Sequence, residues 1–216
     1  KLEIGPLSLV DGQLWVFAIT CGVLGSGWFL MGALLKNYLL ISQRELETSR
    51  ALQQASSAKY SMFDALNQLS LARDNETGSH ILRTQHYVRV IALALRDLSM
   101  PHASQLNDET IEAMFLAAPL HDVGKVGIPD SILLKPGKLT ESEWTVMKTH
   151  ALIGENVLLS AADEAGSADL KIAGDLAGGH HEKWNGTGYP RALAGEAIPL
   201  SARIMAIADV YDALTS

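Results

Sequence analysis

An uncharged apolar run near the start of the chain restricts its fold more than any other feature. Residues 12–35 contain no Asp, Glu, Lys or Arg, and their apolar side chains would cover every face of a helix. At 1.5 Å per residue, such a helix spans the roughly 30 Å hydrocarbon core of a bilayer. Buried helices of soluble proteins seldom run this long without a charge, and a signal peptide would carry a basic segment ahead of the run. The sequence therefore predicts one transmembrane helix over residues 12–35.

Basic residues on either side of this run predict its orientation. Lys1 is the one basic residue before it, whereas Lys36, Arg44 and Arg50 follow it closely. Since Lys and Arg favour the cytoplasmic side of a membrane, residues 1–11 are expected to be an extracytoplasmic flank. The rest of the chain would then be cytoplasmic, on a single-pass anchor. Because the chain begins with Lys and not Met, we expect it to be part of a longer protein.

The segment that follows, residues 36–70, predicts a helical connector. It is polar, rich in helix-forming residues and free of Gly and Pro. A 3-4-3-4 spacing relates Leu52, Ala55, Lys59, Met62, Leu66 and Leu69. Two interpretations stay open: a short coiled coil through which two chains dimerise, weakened by a Lys in its seam, or a solvated helix that packs on the next domain.

The remaining residues, 71–216, predict an all-α domain. A capping box at residues 140–143 indicates a helix start after a Pro-Gly turn, and we expect His150 to end that helix. Apolar periodicity predicts further helices over 81–98 and 111–120, and no two-residue alternation indicates a sheet. Residues 160–169 and 185–190 are expected to be loops.

Composition limits the ligands that this domain can bind. Seventeen Lys and Arg against 24 Asp and Glu leave a net charge of −7, which disfavours binding to DNA or RNA. Cys21 is the one cysteine, so neither an internal disulfide nor a thiolate-rich metal site can form. Any metal ion must therefore be held by His, Asp and Glu.

Histidines with acidic neighbours recur along the domain. Glu76 and His80 are four residues apart and would share one helix face. Two motifs follow, H-D-x-G-K at residues 121–125 and H-H-E-x-x-x-G-x-G-Y-P at 180–190, with His150 between them and Asp209 after them. A single histidine usually only packs or hydrogen-bonds, but the joint pattern suits two or three ions, with iron or manganese ahead of zinc.

The spacing of these residues suggests how they would act. Neighbouring side chains on a helix diverge by about 100°, so His180 and His181 are expected to serve two adjacent ions. Two ions roughly 3.5 to 4 Å apart can activate water and bind the oxygens of a phosphodiester. Lys125, close to the first pair, would offset the charge of a phosphate.

Three segments of the chain resemble the HD-GYP domain, a subgroup of the HD metal-dependent phosphohydrolases. They are residues 71–80 (LARDNETGSH), residues 121–130 (HDVGKVGIPD) and the H-H-E to G-Y-P element at 180–190. H-D alone is weak evidence, but the long third element in order after H-D-x-G-K is highly specific. The resemblance covers about two thirds of the chain.

The resemblance implies a bacterial phosphodiesterase that hydrolyses cyclic di-GMP to pGpG or GMP. Together with the predicted span, we expect an enzyme anchored in the inner membrane with its catalytic domain in the cytoplasm. Its fold would be an HD-type helical bundle with two or three divalent metal ions, iron first and manganese second. The implied metal ligands are Glu76, His80, His121, Asp122, His150, His180, His181 and Asp209.

The same resemblance implies roles for the other motif residues. Asp122 would bridge ions, and Lys125 would contact phosphate or the attacking water. Gly188, Tyr189 and Pro190 would form a loop beside the substrate, which the family also uses to contact diguanylate cyclases. The family continues after the Asp-Ala-Leu-Thr-Ser element, so the C-terminal part of the domain is expected to be missing here. The alternatives are a catalytically silent binding module and a hydrolase of another cyclic dinucleotide, such as cyclic GMP-AMP.

Overall fold

A computed structural model describes residues 7–71 and 78–216 as a helical protein. Its α-helices are α1 (Leu7–Leu71), α2 (Gly78–Asp97), α3 (Asp108–Ala117), α4 (Asp130–Leu133), α5 (Glu141–Met147), α6 (His150–Ala165), α7 (Ala168–Gly179) and α8 (Leu200–Thr215). Short 3-10 turns lie at Ala103–Gln105, Ala118–Leu120, Val123–Gly127 and Gly195–Ala197. Within the described ranges the one β-type pairing is an isolated bridge between Asn185 and Ala194. The prediction of an all-α fold is therefore confirmed.

Contacts divide the chain into two units, and the first comprises residues 1–58. Its described part belongs to α1, and every side chain from 12 to 58 is exposed, including the aromatic rings of Trp15, Phe17, Trp28 and Phe29. Among the described residues, α1 alone carries a stretch long and apolar enough to cross a membrane. Because exposed apolar surface of this extent suits a lipid environment, it agrees with the predicted span over residues 12–35, which stays a prediction.

The second unit, residues 59–216, is a helical bundle around one apolar core. Helices α2, α3, α7 and α8 contribute side chains that are 1% exposed or less, among them Val88, Met114, Leu176 and Met205. The end of α1 joins this core through Phe63. Residues of the predicted connector from position 59 onward therefore pack on the domain, which the second of the two interpretations expected.

The first correction concerns the start of α6. The capping box at Thr140 is present, but the helix that it begins, α5, ends at Met147. His150, expected at the end of that helix, is instead the first residue of α6. Lys148 and Thr149, between the two helices, keep helical backbone angles, with φ near −59° and −69°. Neither residue is Gly or Pro, so the sequence gives no sign of the break.

The second correction concerns residues 160–169, which are not a loop. Helix α6 continues to Ala165, because Ala and Glu are good helix formers and nothing before Gly166 ends the helix. Gly166 adopts the left-handed conformation with φ 61°, which glycine tolerates at a helix end. Ser167 then accepts a hydrogen bond from the Leu170 amide and begins α7.

One glycine permits the close contact on which the site depends. A Cβ atom on Gly124, in the turn Val123–Gly127, would lie 1.9 Å from the carbonyl oxygen of His150 and 2.5 Å from the amide nitrogen of Gly154. Both atoms belong to the backbone of α6, which cannot move aside as a side chain can. Gly124 therefore allows the H-D-x-G-K segment to lie directly against the helix that carries His150.

We expect Gly124→Ala to lower the free energy of unfolding of the second unit by about 3 kcal/mol, because overpacking against backbone forces α6 away. Urea denaturation followed by circular dichroism measures the change. Gly127→Ala is the matched control, since its Cβ would meet only side-chain atoms of Ile153, at 3.1 Å. That variant should lose less than about 1 kcal/mol. An equal loss in the two variants would contradict this account of Gly124.

Candidate metal centre

A buried carboxylate lies at the centre of the site. Asp122 is placed between the turns Ala118–Leu120 and Val123–Gly127. Its Oδ1 atom is 3.1 Å from Nε2 of His150 and 3.7 Å from Nε2 of His180. Its Oδ2 atom is 3.1 Å from Nε2 of His121 and 2.8 Å from Nζ of Lys125. The structure thus brings three predicted histidines and the predicted lysine around one carboxylate.

Backbone carbonyl groups orient the three imidazoles. In His121, His150 and His180, Nδ1 lies 2.8 to 2.9 Å from the carbonyl oxygen of the residue three positions earlier in the chain. A carbonyl oxygen can only accept, so each Nδ1 carries a proton and donates it. In a neutral ring the lone pair is then on Nε2, which faces Asp122. This is the form in which histidine binds a metal ion.

The buried acceptors converge without donors to match them. Of the atoms that the structure describes, Oδ1 of Asp122 and Nε2 of His150 and His180 are buried and have no hydrogen-bond partner. Burying such a group unsatisfied costs about 1 to 3 kcal/mol, and lone pairs about 3 Å apart repel each other. A divalent cation would accept all of these lone pairs at once. The donor set therefore fits a divalent metal ion.

The protonation states of the cluster agree with this fit. Burial lowers the pKa of His180, and it lowers the pKa of His181 to about 2, with His180 and His150 adding to the effect. The pKa of Asp122 lies well below its ordinary value, although burial opposes ionisation of the carboxyl group. Neutral imidazoles and an ionised carboxylate are the states that bind metal ions.

The possible ligand atoms fall into two groups. The first group is Asp122, His150, His180 and His181, and the second is His80, His121 and Asp209. Within each group the ligand atoms lie within 4.8 Å of one another. His121 and His180 connect the groups, with ring centroids 5.2 Å apart. Glu76, the remaining predicted ligand, lies outside the described residues.

His180 and His181 fall in the same group, contrary to the expectation that they would serve different ions. That expectation assumed a regular helix, whereas α7 ends at Gly179 and His180 is its C-cap. The two residues therefore lie at the end of the helix rather than within it, and their rings lie side by side. Their centroids are 3.9 Å apart.

The Gly-Tyr-Pro loop lies beside the first group. The ring of Tyr189 stacks on His181, with centroids 4.6 Å apart and planes 29° from parallel. Burial, followed by the charge of Asp122, raises the pKa of Tyr189, so its hydroxyl stays protonated. A Cβ on Gly188 would lie 2.4 Å from the amide nitrogen of Lys183, so Gly188 permits the loop to pack on the H-H-E segment. Pro190 follows Tyr189 through a cis peptide bond.

Sequence reasoning missed the residues that hold this loop. The buried carboxylate of Glu182 accepts hydrogen bonds from the backbone amides of Arg191, at 2.8 Å, and Leu193, at 3.0 Å. The guanidinium of Arg191 pairs with the buried carboxylate of Glu155 on α6. Glu182 was visible in the H-H-E motif, but its backbone partners carry no signal in the sequence.

A second missed residue is Asp212 on α8. Its buried carboxylate accepts from Nδ1 of His80 at 2.7 Å and from Nε of Arg83 at 2.6 Å. The Arg83 guanidinium holds the pKa of Asp212 well below its ordinary value, with His80 contributing further. The i, i+3 spacing from Asp209 was the one sequence signal that could have pointed to it.

Comparison with known proteins identifies the family of this bundle. The HD domain family matches residues 68–216. The chain therefore belongs to the HD domain family, and the resemblance predicted from its motifs is confirmed.

Three of the curated proteins that are similar to the chain are phosphodiesterases. A cyclic di-GMP phosphodiesterase of Vibrio cholerae is 51% identical over 189 residues, which are 85% of this chain and 36% of that protein. A probable cyclic di-GMP phosphodiesterase of the same organism is 55% identical over 152 residues, 69% of this chain and 34% of that protein. A 3'3'-cGAMP-specific phosphodiesterase of V. cholerae is 44% identical over 143 residues, 66% of this chain and 25% of that protein. The chain spans about a third or less of the length of these relatives.

Metal removal should destabilise the protein. Chelation of the full chain in detergent micelles is expected to lower its melting temperature, and added Mn²⁺ should restore it, because a ligand at 100 times its Kd stabilises a fold by about 2.7 kcal/mol. Differential scanning fluorimetry and metal analysis measure both effects. His150→Ala should reduce the bound metal, whereas His102→Ala, a change at a histidine that pairs with exposed Glu196, should not. Wild-type metal content in His150→Ala would contradict the assignment.

Glu182→Gln should loosen the Gly-Tyr-Pro loop, because the amide group of Gln cannot accept hydrogen bonds at both of its terminal atoms. We expect the amide hydrogens of Arg191 and Leu193 to exchange faster, and stability to fall by about 1 to 3 kcal/mol. Hydrogen exchange with mass spectrometry measures the first effect. Glu196→Gln, at a carboxylate that is 70% exposed, is the control and should leave the exchange unchanged.

Proposed function

We propose that this chain carries the catalytic domain of a metal-dependent phosphodiesterase that hydrolyses cyclic di-GMP. The observation that carries the proposal is the convergence of buried, unpartnered acceptor atoms of Asp122, His150 and His180 beside the ammonium group of Lys125. A metal centre next to a cation suits a phosphodiester, whose charge both can offset. The identity to relatives named for cyclic di-GMP hydrolysis supports this substrate.

The proposed metal ligands are the two groups of the centre. Asp122, His150, His180 and His181 would hold one ion, and His80, His121 and Asp209 would hold a second. Glu76 is proposed as a ligand from the resemblance alone. Iron is the proposed metal and manganese the alternative, because imidazole and carboxylate ligands suit both. Bound divalent ions would supply Lewis acidity towards the phosphate oxygens and towards water.

The chain's own residues would bind and orient the phosphodiester. Lys125 has a side chain that is 18% exposed, so a phosphate oxygen could reach its ammonium group while Asp122 holds that group 2.8 Å away. Asp122 would thereby act both as a ligand and as the partner that positions the lysine. The protonated hydroxyl of Tyr189 could donate to the substrate. Gly188 and Pro190 would shape the substrate side of this loop.

Anchoring and partners belong to the same proposal. Residues 12–35 would anchor the protein in the bacterial inner membrane, with residues 1–11 outside and a connector at 36–70. The catalytic domain, residues 71–216, would then be cytoplasmic, as the basic residues after the span favour. Dimerisation through the connector and contact of the Gly-Tyr-Pro loop with diguanylate cyclases are further parts of the proposal. The net charge of −7 supports the absence of DNA and RNA among the partners.

The full chain, reconstituted in detergent micelles with iron or manganese, should convert cyclic di-GMP to pGpG or GMP. Asp122→Asn and His150→Ala should each lower kcat at least 100-fold, because each removes a central ligand atom. Chromatography of the nucleotides measures turnover, and His102→Ala should retain it. If metal-loaded protein binds cyclic di-GMP without turnover, the domain is a binding module and the proposed activity is wrong.

A second substrate has an observation in its favour. A relative at 44% identity is named as specific for 3'3'-cGAMP. This molecule shares the cyclic phosphodiester of cyclic di-GMP and differs from it in one base. The metal centre would bind the phosphodiester and would not distinguish the two bases. Side-by-side measurement of kcat/KM for the two dinucleotides on the same preparation separates them, and a ratio above 1 for 3'3'-cGAMP would overturn the assignment of the preferred substrate.

A further inference from the structure

We propose that Asp212, held by Arg83, is a positioning residue that fixes the ring orientation and tautomer of His80 for the second ligand group. This inference rests on the proposed function, because it assigns a role within the proposed metal centre. Asp212 is not a candidate ligand in either group of the centre. Its role would be to act on the metal through His80.

The hydrogen bonds around Asp212 determine which nitrogen of His80 carries the proton. Oδ1 of Asp212 accepts from Nε of Arg83 at 2.6 Å, and Oδ2 accepts from Nη2 of Arg83 at 2.8 Å. A carboxylate paired in this two-pronged manner is an acceptor, so the 2.7 Å contact of Oδ2 with Nδ1 of His80 requires that Nδ1 donate. In a neutral ring the lone pair is then on Nε2, which faces Oδ1 of Asp209 at 3.7 Å.

Asp212 does for His80 what backbone carbonyls do for three other histidines of the centre. His121, His150 and His180 each donate from Nδ1 to a carbonyl oxygen of their own segment. His80, on α2, donates instead to a side chain on α8. A carboxylate is a stronger acceptor than a carbonyl group, so it also raises the basicity of the ring and its strength as a metal ligand.

Helical spacing brings the four residues together as two interlocking pairs. His80 and Arg83 are three residues apart on α2, and Asp209 and Asp212 are three residues apart on α8, so each pair shares a helix face. One residue of each pair belongs to the second ligand group, and the other two form the supporting ion pair. Asp212 is 1% exposed, which keeps water from replacing either of its partners.

A purely structural role for Asp212, joining α2 to α8, makes a different prediction. The pair Arg89 and Glu112 joins α2 to α3 in the same unit, and its further contacts are with Tyr60 and Phe115, neither of which is a candidate ligand. Loss of either ion pair should lower stability, but only loss of Asp212 should change the binding of metal. Glu112→Gln is therefore the matched control for Asp212→Asn.

The test is a titration of the chelated full chain in detergent micelles with Mn²⁺, followed by electron paramagnetic resonance and metal analysis. Wild type should bind at least two ions per chain. Asp212→Asn should weaken one of them by about 10- to 100-fold, the usual effect of removing such a partner, and leave the other unchanged. Glu112→Gln should keep both affinities even where its melting temperature falls as far as that of Asp212→Asn.

Each outcome decides between the two proposals. If wild type binds no metal, the proposed function fails. If wild type binds two ions and Asp212→Asn binds both with wild-type affinity, the role of Asp212 is wrong and the proposed function stands. Should Asp212→Asn not fold, Arg83→Lys replaces it, since Lys cannot make the two-pronged contact. A loss of affinity in the same ion, by about 3- to 10-fold, supports the role, and unchanged affinity overturns it.

Discussion

The carboxylate of Asp122, buried among imidazoles, is the interaction on which the arrangement of the domain depends. An ionised carboxylate removed from water costs several kcal/mol unless charged or hydrogen-bonding partners surround it. Lys125 supplies such a partner from the same segment, and a cation held jointly with His150, at the start of α6, and His180, at the end of α7, would supply the other. The packing of α6 and α7 against this turn is thus tied to the electrostatics of one side chain. Gly124 makes the approach possible by leaving room for the backbone of α6.

Helix ends, rather than helix middles, supply the imidazoles around Asp122. The last carbonyl groups of a helix have no amide partner within it and must find another donor. Nδ1 of His150 donates to Met147, the last residue of α5, and Nδ1 of His180 donates to Ala177 in the last turn of α7. Each of these hydrogen bonds therefore has two effects. It satisfies a carbonyl group at a helix end, and it fixes the tautomer of the histidine. A histidine in mid-helix finds the carbonyl groups around it already bonded.

Features that depend on residues close together in the sequence could be predicted, whereas features that depend on contacts between distant segments could not. The capping box at Thr140 and the choice of His and carboxylate ligands depend on neighbours in sequence, and both were predicted. The break before His150 was not, because Lys148 and Thr149 stay in helical conformation and neither is Gly or Pro. The Gly166-Ser167 junction carried a signal, a left-handed glycine before a capping serine, that the acidic residues around it obscured.

The residues that support the site were missed for a related reason. Glu182 binds backbone amides, and a backbone amide is the same at every position of the sequence. Asp212 contacts Arg83, which is 129 residues away in the sequence, and His80, which is 132 residues away, because α8 packs on α2. A motif identifies residues by what they are, whereas a supporting role is defined by what they contact. Such roles therefore become visible only with the fold.

The two ligand groups form one continuous cluster of side chains. His121 and Asp122 are consecutive, yet they belong to different groups. Nε2 of His121 remains 3.1 Å from Oδ2 of Asp122. His80 joins this cluster through His121, with ring centroids 5.9 Å apart, so the side chains that fix His80 act first on the second group and reach Asp122 only through His121.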